Sequence, residues 1–329
     1  MRQLSMQRDA ERSQLISARY GVLVDTDIGD DIDDAMALAL ILQSPEIDLW
    51  GITTVFGNTQ LRASLALYLL HAYGREDVCV AAGAQMPIQP RQRPSGVPQA
   101  AIIDTQVVLP AISTLSGPEL IIEAALSHRG QLTLLCLGPL TNVATALRLE
   151  PDLFMAIKRI VMVGGTSSFP FPDWNIRSDA RAAQIVLGAG IPITMLGWNI
   201  TTRCQLRASD VTRLRNNHAR QTQFLKQLLE IWKRHRPRWQ ADLPYLHDAV
   251  AVVALGAPEL LEFQEMTARV IGRGIFKGFM APRILDGPLV QAAIGIQAGA
   301  AMEWITRRLL SPSHAQTAQF LDDARHGIE

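Results

Sequence analysis

Gly21-Val22-Leu23-Val24-Asp25-Thr26-Asp27-Ile28-Gly29-Asp30-Asp31-Ile32-Asp33-Asp34-Ala35-Met36 decides the fold of this chain. Val22 to Val24 is a short apolar run of the kind that forms a buried strand. Ala35 to Leu42 is apolar and long enough for a helix. Between them fall Asp25, Asp27, Asp30, Asp31, Asp33 and Asp34. These carboxylates therefore occupy the turn from a strand's C-terminal end into a helix, the edge at which open α/β sheets bind ligands. Aspartate is common in helix caps and first turns, where the dipole favours it. That accounts for one or two of the acids. The rest repel one another unless a cation or protons offset them. Hard divalent cations, Ca²⁺ or Mg²⁺, suit such oxygen donors. Gly29 stands where an EF-hand loop needs a ligand, so that pattern does not apply.

Working outward, strand-like and helix-like segments alternate. The patterns predict strands over 49–55, 78–82, 132–137, 160–163 and 193–196, and helices over 59–73, 118–128, 141–149, 180–187, 221–235 and 248–255. Short β-like pieces near Thr267–Ile271 precede a C-terminal helix over 299–310. Residues 88–106 read as a long loop. The expected class is α/β: an open, mostly parallel, mixed sheet flanked by helices. Residues 1–19 read as an N-terminal extension and 20–329 as one catalytic domain.

The 329 residues are 48% hydrophobic and 19% charged, and 31 basic residues balance 31 acidic ones. No net basic field is available for nucleic acid. No apolar run reaches membrane-spanning length, and the N-terminal residues lack a signal-peptide core. Three cysteines, Cys79, Cys136 and Cys204, are too few for a disulfide framework and read as buried thiols in a reducing, cytoplasmic setting.

Four further polar clusters follow strand ends or lie on nearby loops: Gly57-Asn58, Gly138-Pro139-Leu140-Thr141-Asn142, Asp173-Trp174-Asn175 and His247-Asp248. Each alone has a bland reading. Asn58 is a turn residue, Asn142 a helix cap, Asp173 to Asn175 a loop and His247 a structural histidine. In a parallel sheet, however, these positions share one edge and can converge.

With the aspartate turn, the five clusters resemble, in order, the signatures of the inosine-uridine-preferring nucleoside hydrolases. The first is similar to that family's Asp-x-Asp-x-Gly-x-Asp-Asp-Ala, with two additional residues. Anchoring it at its right end places Asp33 and Asp34 at the paired acids. Asp30 and Asp31 are then expected in an extra, solvent-facing turn. The resemblance implies hydrolysis of the N-glycosidic bond of ribonucleosides with Ca²⁺ as cofactor. It implies Asp27, Asp34, the Leu137 carbonyl and Asp248 as metal ligands. Asp27 would also activate a metal-bound water, and His247 would assist the leaving base. Asp33, Asn58, Asp173 and Asn175 would hold the ribose, and Asp25 would support the ligands. A small-molecule nucleoside is the implied partner, and a homodimer or homotetramer the implied assembly. Asp173 stands where the family has Glu, and Thr166 to Phe169 lacks an asparagine that the family carries upstream of it. Residues 85–100 hold no histidine, which pyrimidine-preferring members carry there, so the base is left open. Gln85 or Arg91 from that loop, or Trp198 or Trp239 by stacking, are candidates for the base contact.

Two alternatives compete. Val24-Asp25-Thr26-Asp27 also resembles the first motif of haloacid-dehalogenase-like, Mg²⁺-dependent phosphatases, with Asp322-Asp323 as the only late acid pair. The other alternative is a Ca²⁺-dependent nucleoside-binding protein without turnover.

Overall fold

The computed structural model describes residues 20–89, 96–238, 240–272, 275–276, 278–283 and 285–311. The 1–19 extension, Arg91, Trp239 and the Asp322-Asp323 pair lie outside them. One nine-stranded sheet runs in the order β3-β2-β1-β4-β5-β6-β9-β7-β8. Its strands are β1 (Tyr20–Thr26), β2 (Ile47–Thr54), β3 (Val80–Ala82), β4 (Leu132–Cys136), β5 (Ile157–Val163), β6 (Ile193–Leu196), β7 (Leu261–Val270), β8 (Met280–Pro282) and β9 (Leu289–Ile296). Strands β3 to β9 in that spatial order pair in parallel, and only β7 pairs antiparallel, with β8 and β9. The expected mixed α/β class is what the chain adopts.

Helices α1 (Asp33–Leu42), α2 (Thr59–Tyr73), α3 (Gly117–Ser127), α4 (Thr141–Leu149), α5 (Trp174–Ser178) and α6 (Ala180–Leu187) cover the first part of the sheet. They are followed by α7 (Trp198–Thr201), α8 (Ala208–Asn216), α9 (Arg220–His235), α10 (His247–Gly256) and α11 (Ala298–Leu309). Side chains alternate along β1, so Val22 and Val24 enter the core under α1, α2 and α10, and Leu23 enters the one under α3, α4 and α6. Helix α2 closes at Gly74, whose φ of 67° is the left-handed cap that glycine adopts without a steric penalty.

The chain lays down β1, β2 and β3 in one direction, then crosses back to place β4 on the other side of β1. The sheet thus reverses its winding between β1 and β4. At such a switch point the loops leaving the two strands diverge and open a crevice. The aspartate turn leaves β1 there, and Leu137 leaves β4.

The sheet's far edge departs from the expected elements. Strand β7 covers ten residues where only a short piece near 267–271 is expected, and β9 is not anticipated at all. A register shift between Glu262 and Phe263 breaks the alternation on which a strand pattern depends. Cys79 is exposed beside the edge strand β3, which corrects the expectation of a buried thiol, while Cys136 and Cys204 are buried. Among the described residues no helix is long and apolar enough to cross a membrane.

Candidate active site

Asp33 and Asp34 open α1, and His247 and Asp248 open α10. These two helices pack on each other, so both N-termini face one point. Oxygens of Asp33, Asp34 and Asp248 lie within 4.8 Å of one another. All three residues are buried, as is Asp27. The two helix dipoles favour negative charge, but each supplies only about half an elementary charge.

Burial and mutual repulsion push the carboxyl groups of Asp27, Asp33 and Asp248 well above the ordinary aspartate range. Asp34 is raised to about 6 by burial, although the Thr26 hydroxyl donates to it. Asp25 is raised to about 7 by burial against the donors Thr53 and Asn142. Asp25 Oδ1 accepts Thr53 Oγ1 at 2.6 Å and Asn142 Nδ2 at 2.7 Å. Its other oxygen, Oδ2, is buried with no hydrogen-bond partner among the described residues.

This donor set fits a hard cation. It is all oxygen, with no sulfur or imidazole among the grouped atoms. Two ligands on opposite sides of a Ca²⁺ stand at most about 5 Å apart at Ca–O distances of about 2.3–2.6 Å, and the observed grouping falls within that span.

The pKa shifts set a direction for stability. Groups whose folded pKa exceeds the unfolded value bind protons more tightly when folded. Their contribution is complete below about pH 4 and is lost as pH rises through about 6 for Asp34 and about 7 for Asp25. Chelator-stripped protein is therefore expected to melt at a lower temperature at pH 8 than at pH 5, with Ca²⁺ restoring more of the loss at pH 8. Thermal scans with and without chelator check this. A stripped protein that gains stability over that range contradicts it.

Asp27 is absent from the 4.8 Å group, but Asp34 is the neighbouring carboxylate that raises its pKa most. Its position is set by Gly138. A Cβ built there would lie 2.8 Å from Asp27 Oδ1 and 2.8 Å from Val55, so only glycine lets β4's exit pass so close to the aspartate. The neighbouring Leu137 carbonyl accepts Asn175 Nδ2 at 2.6 Å, and that amide also donates to Val163 O at 3.1 Å. Asn175 Oδ1 thereby remains for other partners. Asp173 caps α5 by accepting Ile176 N–H at 3.1 Å and is raised to about 6 by burial.

Asn58 is exposed and caps α2, accepting Leu61 N–H at 3.1 Å. The sugar-facing capacity left to it is its Nδ2 group. Gln85 is also exposed, and its carbonyl accepts Gly57 N–H at 2.8 Å. His247 Nδ1 lies 2.8 Å from Thr201 Oγ1, and burial holds the imidazole down to about 4. The imidazole is thus neutral at neutral pH.

Three expectations need correction. Asp30 and Asp31 do not project freely into solvent. Asp30 pairs with Arg62 at 2.9 Å, and Asp31 accepts Gln240 Nε2 at 2.7 Å while its carbonyl accepts Gln99 Nε2 at 2.6 Å. The additional residues form an arch that ties neighbouring segments to the turn. Asn142 does not cap α4; it is fully buried, donating to Asp25 and to Thr54 O and accepting Ala84 N–H at 2.8 Å. Asp173 to Asn175 is not plain loop but passes into the first turn of α5.

Arg62 is the residue that the sequence reading missed. It is fully buried, and its guanidinium donates to the carbonyls of Asp27, Ile28 and Phe56 and to Asp30. The signal was available. Arg62 falls in register with Leu65, Leu69 and Tyr73 on the buried stripe of α2, and a charge on such a stripe needs a buried partner.

The model of the family described as inosine-uridine preferring nucleoside hydrolase matches residues 22–301. A probable uridine nucleosidase 2 of Arabidopsis thaliana is 32% identical, covering 90% of this chain and 99% of that protein. A non-specific ribonucleoside hydrolase of Klebsiella pneumoniae is 32% identical, covering 84% of this chain and 91% of that protein. The structure of the plant nucleoside hydrolase PpNRh1 superposes with a TM-score of 0.79 at 27% identity, over 89% of this chain and 99% of that one.

Proposed function

Because the chain belongs to the inosine-uridine preferring nucleoside hydrolase family and so hydrolyses ribonucleoside N-glycosidic bonds, we propose that it does so with Ca²⁺ held by Asp34, Asp248, Asp27 and the Leu137 carbonyl. The observation that carries this reading is the meeting of Asp33 and Asp34 with Asp248, more than 200 positions away in sequence, within 4.8 Å of one another at the sheet's switch point. The chemistry that Ca²⁺ supplies there is positive charge, which offsets the carboxylates and makes water easier to deprotonate.

The chain's own groups divide the work. Asp27 takes a proton from the attacking water; a carboxyl raised by burial is a stronger base than a free one. Asp33 accepts a hydrogen bond from a ribose hydroxyl, and Asn175 Oδ1 and Asp173 do the same along the sugar. Asn58 Nδ2 adds a donor at the rim, and Asp25 supports the ligands. Bond cleavage builds positive charge on the ribose, as in other glycosidic cleavages, and a wall of carboxylates stabilises it.

The leaving base needs a donor. Thr201 Oγ1 lies 2.8 Å from His247 Nδ1 and 3.4 Å from Trp198 O. Donation along the shorter contact puts the imidazole hydrogen on Nε2, where it can hydrogen-bond the departing base. His247→Ala is then expected to slow inosine or uridine cleavage by about 10- to 10²-fold, the worth of one hydrogen bond to a charged leaving group, and p-nitrophenyl riboside far less, since p-nitrophenolate is stable as a free anion. Equal slowing of both substrates removes His247 from this role.

The two alternatives fall away, since the family and its relatives are N-glycoside hydrolases. Reducing sugar released from a panel of nucleosides, with and without chelator, tests the reading. We expect ribose release that chelator abolishes and Ca²⁺ restores. Full activity in chelator contradicts the metal role.

A further inference from the structure

Among the described tryptophans, Trp232 (2% exposed) and Trp304 (9%) are core residues, whereas Trp174, at 51%, and Trp198 are exposed. Trp198 is 39% exposed, and it lies at the sheet edge that carries the carboxylates, directly after β6. It is held firmly. Its backbone N–H donates to Gly165 O at 2.9 Å, and its indole stacks on Phe171 with ring centroids 4.3 Å apart and planes inclined by 19°. An exposed indole fixed by backbone and by a second ring is an ordered surface, not a loose one.

Its surroundings give it a ligand. Trp198 and Thr201 are three residues apart on α7 and so are neighbours on one helix face. Thr201 hydrogen-bonds His247, the residue proposed above to assist the leaving base. On the other side, Phe171 precedes Asp173 by two positions. A Cβ built on Gly164, next to the Gly165 that anchors Trp198, would stand 2.9 Å from Asp173 Oδ1. The ring pair thus bridges from the ribose contact to the histidine. Beside the carboxylates and amides of this edge, an apolar π-face matches a flat, aromatic, uncharged heterocycle.

We propose that Trp198, backed by Phe171, is the platform on which the nucleobase stacks, and that it contributes base affinity to the chain. The inference rests on the ribonucleoside reading above. A π-face serves purines and pyrimidines alike, so the platform favours broad base acceptance over strict choice.

The test measures binding by calorimetry to the full chain with Ca²⁺ present, using free hypoxanthine, free uracil and free ribose as probes. Trp198→Leu keeps apolar bulk and removes the ring, and Trp198→Phe keeps a ring. We expect Trp198→Leu to weaken both bases about tenfold, to leave ribose affinity unchanged, and to raise KM for inosine and uridine with kcat within about threefold. Trp198→Phe should recover most of the base affinity. Unchanged base affinity in Trp198→Leu, or equal weakening of base and ribose, overturns the proposal. Wild-type turnover of nucleosides is scored separately, so a failure of the hydrolase reading is distinguishable from a failure of the platform.

Discussion

Alanine at Asp248 is expected to abolish Ca²⁺ binding and to lower kcat/KM for nucleosides by roughly a thousandfold or more. Metal assistance is worth several kcal/mol of transition-state stabilisation, and each ~1.4 kcal/mol is a factor of ten. Asp248 bears this effect because it alone closes the group from the distant half of the chain. A second expectation separates the account from simple damage. Asp248 is repelled by Asp33, Asp34 and Asp27. Removing one charge from a buried, repelling set relieves the metal-free protein, so the chelated variant should melt no lower than chelated wild type. Asp27→Ala should lose activity to a similar degree. Calorimetric Ca²⁺ titration, steady-state kinetics and thermal scans check these points. An Asp248→Ala protein that binds Ca²⁺ as wild type does removes Asp248 from the ligand set.

The largest expected effect on stability comes from Arg62→Met. The substitution keeps much of the apolar stem of the side chain but removes a guanidinium that serves three backbone carbonyls and Asp30. Asp30 keeps 29% exposure, so the cost falls on the carbonyls of Asp27, Ile28 and Phe56, each left without its donor at about 1–3 kcal/mol. Phe56, whose carbonyl Arg62 holds, has a φ of 67°, a left-handed conformation that non-glycine residues adopt at a cost. Arg62 therefore fixes both the aspartate turn and a strained turn after β2. At roughly 2–4 °C per kcal/mol for a chain of this size, a fall in melting temperature of about 10 °C is expected. A fall of under about 2 °C shows that the turn holds without it.

Much of this was legible in the sequence. Helices over 59–73, 141–149 and 180–187 and the strand over 193–196 coincide with the observed elements, because each is bounded by a strong local signal such as Gly74 or the Gly-Pro before Thr141. The approach of Asp248 to Asp33 and Asp34 was readable only through the ordered motifs; no local pattern carries a contact across that separation. Side-chain networks were the least legible. Asn142 read as a cap because asparagine usually serves locally near helix starts, yet it crosses to Asp25 and to the backbone of β2. Asp30 and Asp31 read as solvated because their partners Arg62 and Gln240 are distant in sequence. Only a short piece of β7 and none of β9 was legible, because a bulge interrupts the alternation of one, and the Ala and Gly of the other give a weak apolar signal.

The central claim is that acids from both ends of the chain close on one cation. An anomalous difference map from crystals grown with Ca²⁺ tests it most directly. The account predicts one peak touching carboxylate oxygens of both Asp34 and Asp248, with Asp27 and the Leu137 carbonyl beside it. A catalytically active preparation with no peak there, or with its cation bound elsewhere, contradicts it.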